Sequence, residues 1–286
     1  MAYHVKLQIA AKTDTGLVRS HNEDSIAHNP EYGLLILADG MGGYNAGEVA
    51  SAIATSTLKL VLEAQLQHRG WAARSNHSKY IQQLLLESVE RANSAILEAA
   101  RNEPQFSGMG TTLVVAIFHQ NKLTVAHVGD SRAYRLRRGE LTLITRDHSL
   151  LQEQIDAGLV DPEWARFSSN RNLITRAVGV DHQIDVEIHD HVTQVGDIYL
   201  LCSDGLSDML SMQEIGDILN RAVSDLDFTC DALISRANKN GGKDNTSVIL
   251  TKVQSNRAAS GGPLKRLVNW VADKTKARWR LKSLMK

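Results

Sequence analysis

The order of elements along this 286-residue chain predicts an α+β sandwich, with two mainly antiparallel sheets inside and helices laid over their faces as layers. Three observations lead there. Apolar runs of strand length recur, joined by short polar connections of hairpin type. Two helical patterns stand side by side in the first third of the chain, and a second pair precedes the last strand. No internal repeat of solenoid or propeller length interrupts this order.

Taken from the N-terminus, Val5, Leu7 and Ile9 alternate with polar neighbours, as in a half-buried strand. Leu34–Ala38 is continuously apolar, which suits a strand buried on both faces and stopped by a turn at Asp39-Gly40. Between Ala46 and Leu66, Val49, Ile53, Leu60 and Leu66 recur among small residues and predict a helix. Residues 67–78 break it, and a second helix follows over 79–101 with Ile81, Leu84, Leu85, Val89, Ala92 and Ile96 on one stripe. Strands are expected over Thr112–Phe118, Leu123–Val128, Arg132–Leu136 and Leu141–Ile144, the last two flanking the turn Arg137–Glu140. A short helix over 149–157 ends at Gly158. Residues 159–172 read as a surface loop or flap. Strands at 184–188 and 198–202, helices at 212–223 and 227–239, and a strand at 246–253 complete the body.

Composition excludes several function classes. Apolar residues make up 43% and charged residues 22%, ordinary globular values that rule out wholesale disorder. The two cysteines, Cys202 and Cys230, exclude a disulfide scaffold and a four-cysteine zinc site. The N-terminus has no signal-peptide h-region, and no apolar run approaches the ~20 residues that span a bilayer, so a cytoplasmic protein is expected. The net charge of zero conceals an asymmetry: residues 257–286 hold nine basic residues against Asp273, a net +8, so residues 1–256 carry −8. An acidic body argues against a dedicated nucleic-acid binder.

The chemistry gathers at acidic positions. Asp39, Asp130, Asp204 and Asp244 each stand at a strand end beside glycine, and Asp24 ends Asn22-Glu23-Asp24. Asp before Gly is ordinary turn chemistry at any one of these positions. Their recurrence points instead to carboxylates converging on one sheet edge, where like charges need a cation among them. Magnesium or manganese suits carboxylates, carbonyls and water; zinc would want His or Cys clusters. His189-Asp190-His191 places two histidines on one strand face, with no third ligand evident. Arg19 is either an ordinary surface residue or, beside such metals, a bidentate anion ligand. A cysteine phosphatase is excluded because Cys202 is followed six residues on by Asp208 rather than Arg, which leaves Cys202 as a core residue. Walker A, GxSxG and GxGxxG patterns are absent.

The ordered set Arg19-x-x-Asn22-Glu23-Asp24, Ala38–Gly43, Gly108–Thr112, Val128–Arg132, Asp147-His148-Ser149, Leu173–Gly179, Cys202–Leu206 and Asp244–Ser247 resembles the metal-dependent serine/threonine protein phosphatases of type 2C, the PPM family. The resemblance spans residues 8–252. It implies a four-layer α-β-β-α sandwich over a catalytic domain 1–254, and a dinuclear Mn²⁺ or Mg²⁺ centre with a weaker third ion. It implies that Asp39 bridges both metals, that Gly40 lends a backbone carbonyl, and that Asp204 and Asp244 ligate the second metal. Glu23 and Asp24 would act through metal-bound water, Asp130 with Asp204 would hold the third ion, and Arg19 would bind phosphate. The implied reaction is hydrolysis of phosphoserine and phosphothreonine on proteins by a metal-bridging hydroxide, opposing Ser/Thr kinases, by a monomer. Met41 stands where many relatives, chiefly eukaryotic, have a proton-donating His, which is similar to the bacterial branch. The leaving-group acid then falls to metal-bound water or, as a lesser candidate, His148. The flap, with Trp164, Arg166, Phe167, Ser168 and Ser169, occupies the family's variable segment and either selects substrates or is an unselective loop.

Residues 255–286 read as a basic linker and tail. Pro263 opens a short helical pattern whose apolar stripe breaks after Val271. An anionic membrane surface, the acidic body or a protein partner, and plain solvation all remain open for it. Two rivals to the protein phosphatase stand beside it: a hydrolase of small phosphoesters, and a pseudophosphatase. The second is disfavoured because every matched carboxylate is present.

Overall fold

The computed structural model describes residues 5–43, 46–67, 77–161, 173–222 and 224–256. The flap residues Trp164, Arg166, Phe167, Ser168 and Ser169 lie outside the described residues, as does the tail beyond Asn256.

Eleven strands and six α-helices make up the described part: β1 Val5–Asp14, β2 Asp24–Asn29, β3 Leu34–Met41, α1 Ala46–Gln67, α2 His77–Asn102, β4 Gly110–Thr111, β5 Leu113–His119, β6 Lys122–Val128, β7 Arg132–Arg137, β8 Glu140–Leu143, α3 Leu150–Asp156, β9 Glu187–Val192, β10 Ile198–Cys202, α4 Asp204–Ser207, α5 Met212–Ala222, α6 Leu226–Lys239 and β11 Thr246–Asn256. One sheet runs β1-β11-β10-β7-β8 and the other β2-β3-β5-β6-β9, with the two-residue β4 added to β3. Every pairing between these strands is antiparallel.

Period-two side-chain alternation turns the two sheets into four layers. On β3, Leu34, Ile36 and Ala38 pack under α1 and α2, against residues such as Leu58 and Leu85. Leu35 and Leu37 face the opposite way and meet Tyr199, Leu201 and Ile249 of the other sheet. That sheet's outer face, with Leu200, Cys202 and Leu250, is covered by Ile215 and Leu219 of α5 and Leu233 of α6. The continuous apolar runs are therefore strands buried on both faces, as expected. Both cysteines are free and buried, and burial pushes the Cys202 thiol up to about 12, in keeping with a core role.

Several boundaries differ from the sequence expectation. β3 does not stop at Ala38: Gly40 and Met41 pair with Thr111 and Gly110 of β4, which carries the strand through Asp39. β2 has no apolar alternation to announce it and exists because it pairs with β3 along its whole length. The strand expected at 184–188 lies at Glu187–Val192, because only those residues meet β6. β11 pairs with β1 out to Asn256, so Ser255 and Asn256 belong to the sheet and not to the linker. The buried face of α1 is Ala46, Ala50, Ala54, Leu58, Leu62 and Leu66, whereas Leu60 is 73% exposed. Alanines let this helix approach β3 closely, which a search for large apolar residues passes over. No described helix is long and apolar enough to cross a membrane.

Candidate active site

Four strand ends meet at one edge of the sandwich. Asp24 begins β2, Asp39 lies near the end of β3, Asp204 follows β10 and Asp244 precedes β11. Asp130 sits in the turn between β6 and β7. Their register brings them together: Asp24 is the direct cross-strand partner of Asp39. Asp204 opens the one-turn helix α4 rather than a glycine turn. Gly205 behind it lies against the main chain of Asn245, where a β-carbon would stand 2.0 Å from the Asn245 carbonyl oxygen. Gly40 makes a similar approach to Gly47 of α1, where a β-carbon would stand 2.0 Å from the Gly47 carbonyl oxygen. These two contacts need hydrogen in place of a side chain.

The electrostatics of this edge are those of uncompensated carboxylates. Burial, then the charges of Asp24, Asp204, Asp130 and Asp244, holds the Asp39 carboxyl well above its ordinary range. Burial and the charges of Asp130, Asp244 and Asp208 do the same to Asp204. Burial raises Asp24 to about 6 against hydrogen bonds from Ser247 and Ser203, and burial with Asp147 raises Asp130 to about 6. Glu23 is raised chiefly by burial. Asp24 Oδ1 and Asp130 Oδ1 are buried with no hydrogen-bond partner, while Asp24 Oδ2 accepts from Ser203 Oγ at 2.8 Å. Orphaned hard oxygens among mutually repelling carboxylates fit a divalent cation of the magnesium or manganese type.

Arg19 and Arg132 bring positive charge to the cluster from the chain itself. Arg19, exposed on the loop after β1, donates from Nη2 to Asp244 Oδ2 at 2.7 Å. A cleft of about 420 Å³ opens alongside, between Asp130, Asp204 and Asp208 on one side and Leu151 and Ile155 of α3 on the other. On its wall Arg132 holds Asp147 through Nε–Oδ1 at 2.9 Å and Nη2–Oδ2 at 2.6 Å. Ser149 caps α3 by accepting from Gln152 N, and residues 173–175 return to pair with 148–150.

The histidines fall elsewhere. His189 bonds Glu187 at 2.7 Å and Asp190 bonds Lys122, and among the described residues the His189/His191 pair gains no shared third ligand. A different group, His127, His148 and Glu187, brings its ligand atoms within 4.8 Å of one another. Its hydrogen bonds argue against a metal. His148 Nδ1 accepts the Gly129 N–H at 3.2 Å, so the proton sits on Nε2, which faces Glu187 at 3.3 Å. A metal-bound imidazole would instead donate through its other nitrogen. With both ring nitrogens engaged and the ring buried, His148 is not presented to the cleft as a proton donor.

Sequence reasoning missed Asp208 and Asn245 as members of this edge. Asp208 follows Asp204 by one helical turn, a spacing that marks a shared face once α4 is known. Asn245 stood inside the quoted motif Asp244–Ser247, but nothing local to the sequence showed that its side chain reaches the Arg19 loop.

The sandwich and its acidic edge define a class, the metal-dependent phosphatase fold. The chain belongs to the protein phosphatase 2C family, whose model matches residues 18–244. It is 39% identical over 250 residues to the serine/threonine protein phosphatase PstP of Mycobacterium tuberculosis, a match covering 86% of this chain and 45% of that protein, so the chain spans less than half the length of this relative. It is 36% identical over 255 residues to the serine/threonine phosphatase stp of Listeria monocytogenes, covering 87% of this chain and 98% of that one. Among solved structures, the catalytic domain of PstP in complex with two manganese ions matches with a TM-score of 0.75 and 38% identity, over 87% of this chain and 99% of that one. Stp1 of Staphylococcus aureus matches with a TM-score of 0.81 and 32% identity, over 89% and 98%.

Proposed function

We propose that this chain hydrolyses phosphoserine and phosphothreonine on proteins, and so opposes Ser/Thr kinases. The observation that carries the reading is the convergence of Asp24, Asp39, Asp130 and Asp204, all with raised carboxyl pKa values, beside Asp244, together with two orphaned buried oxygens. Asp39, at the centre of the cluster, would help hold two Mn²⁺ or Mg²⁺ ions, with the Gly40 main chain beside it. Asp204 and Asp244 would serve as further ligands, and Glu23 and Asp24 would orient water beside them. Asp130 and Asp204, joined by Asp208, would hold a third ion. When bound, the dications lower the pKa of water and neutralise charge on the phosphoryl group.

The chain's own residues supply the rest. The Arg19 guanidinium, one reach from Asp244, binds the phosphoryl oxygens and fixes the group for in-line displacement. Ser203 holds Asp24 in place through its hydroxyl. Water oxygen bonds to phosphorus as the bond to the Ser or Thr oxygen breaks. Met41 has no proton to give, so the departing oxygen takes one from water. The products are inorganic phosphate and the free hydroxyl.

The test is phosphate release from a phosphothreonine peptide with Mn²⁺, with EDTA, and with Asp39→Asn. Release that needs Mn²⁺ and vanishes in both other arms is expected. A folded protein that releases nothing in Mn²⁺ or Mg²⁺ would overturn the reading.

A further inference from the structure

We infer that Asn245 is the positioning residue for Arg19, the clamp that sets the phosphate-binding guanidinium against the carboxylate edge. The inference rests on the reading of Arg19 as the phosphate ligand. Asn245 is 4% exposed, and its amide spends all its hydrogen-bonding groups on one loop. Oδ1 accepts the Glu23 N–H at 2.8 Å. Nδ2 donates to the Thr15 carbonyl at 2.9 Å and to the His21 carbonyl at 2.8 Å. One N–H and two carbonyls as partners leave a single orientation for the amide, because a flip would set oxygen against both carbonyls. These three partners bracket Arg19 on both sides.

The rest of the loop's seating follows the same direction. The Leu17 and Val18 N–H groups both donate to the Gly242 carbonyl, at 2.7 and 3.2 Å. The loop carrying Arg19 and the segment carrying Asp244 are thus stitched together, although more than 220 residues separate Asn245 from Glu23. Arg19 itself is exposed, with a long flexible stem, so the place of its guanidinium depends on where the backbone beneath it is held. Among the described residues, the Asn245 side chain alone grips this backbone both before and after Arg19.

A side-chain change at 245 also spares the metal ligand next to it. The bond to Asp244 Oδ1, at 2.9 Å, comes from the main-chain N–H of Asn245, which alanine retains. Asp244 keeps its contact, so loss of the clamp falls first on phosphate recognition and reaches the metal site only indirectly, through the released Glu23 N–H.

The experiment uses the full chain loaded with Mn²⁺. For wild type, Arg19→Ala, Asn245→Ala and the double variant, it measures KM and kcat on a phosphothreonine peptide, competitive inhibition by inorganic phosphate, and the Mn²⁺ dissociation constant by calorimetry. Asn245→Ala is expected to raise KM and the phosphate inhibition constant about tenfold, with the Mn²⁺ constant within about twofold of wild type. In the Arg19→Ala background the same change is expected to add less than about twofold, since the two residues then act through one contact. Equal factors in the two backgrounds, or a loss expressed in Mn²⁺ affinity, would overturn the inference. If Arg19→Ala leaves phosphate inhibition unchanged, the assignment of Arg19 fails and this inference goes with it. Should Asn245→Ala not fold, Asn245→Ser carries the same comparison with at most one of the three bonds.

Discussion

Asp24 and Asp39 are direct partners across the β2–β3 ladder, two carboxylates placed opposite one another on neighbouring strands. Like charges in that relation destabilise a sheet, and burial makes both worse. Asp39→Asn is therefore expected to be more stable than wild type in chelator at neutral pH, by roughly 1 kcal/mol, while losing activity. Urea titrations in EDTA and in Mn²⁺ check this; a variant less stable than wild type in EDTA would contradict it.

The buried Asp130 carries a pH signature of its own. Its carboxyl is raised to about 6, chiefly by burial, against an ordinary 3.8. Between those values the folded protein holds a proton that the unfolded chain releases. Stability from this group is thus complete below 3.8 and lost as pH rises through 6, a swing of roughly 2–3 kcal/mol. In chelator, wild type is expected to lose stability over pH 4–6 relative to Asp130→Asn. Parallel stability curves for the two proteins would contradict this.

Asp190 should behave in the opposite sense at the far end of the sheet. Burial pushes its carboxyl up, but hydrogen bonds from Thr124, Ser78 and Lys122 outweigh burial and bring it to about 2. Here the unfolded chain binds the proton first as pH falls. The contribution is present above 3.8 and lost as pH drops through 2. Asp190→Asn is expected to cost about 2 kcal/mol at pH 7 and almost nothing near pH 2, read as a shallower acid limb in denaturant midpoints.

Gly205→Ala tests the close approach that brings Asp204 to Asp244. A β-carbon there meets the Asn245 carbonyl oxygen at 2.0 Å and cannot be absorbed by a flexible side chain, because the contact is main chain. The expected cost is about 3 kcal/mol of stability, with Mn²⁺ affinity falling about tenfold as the two carboxylates part. Calorimetric Mn²⁺ binding beside thermal melting separates the two effects. Unchanged values for both would show that the approach is not required.

Read by itself, the sequence determined the layers. The run Leu34–Ala38 suited a strand buried on both faces, Thr112–Phe118 read as a strand, and Ile81 to Ile96 fitted one helix stripe. The period of burial is local, two residues in a strand and 3.6 in a helix. The carboxylates at strand ends, in their family order, were legible for the same reason: each stands beside its own strand. Tertiary structure decided what those periods do not carry. β2 is a strand only because β3 lies beside it, and β3 runs through Asp39 only because β4 pairs with Gly40 and Met41. α1 buries alanines, not Leu60, because close approach to the sheet outweighs the size of the side chain buried. Asp208 joins the edge through one turn of α4, and Asn245 grips the Arg19 loop across the length of the chain. Register between distant strands sets those distances, and no local pattern records it.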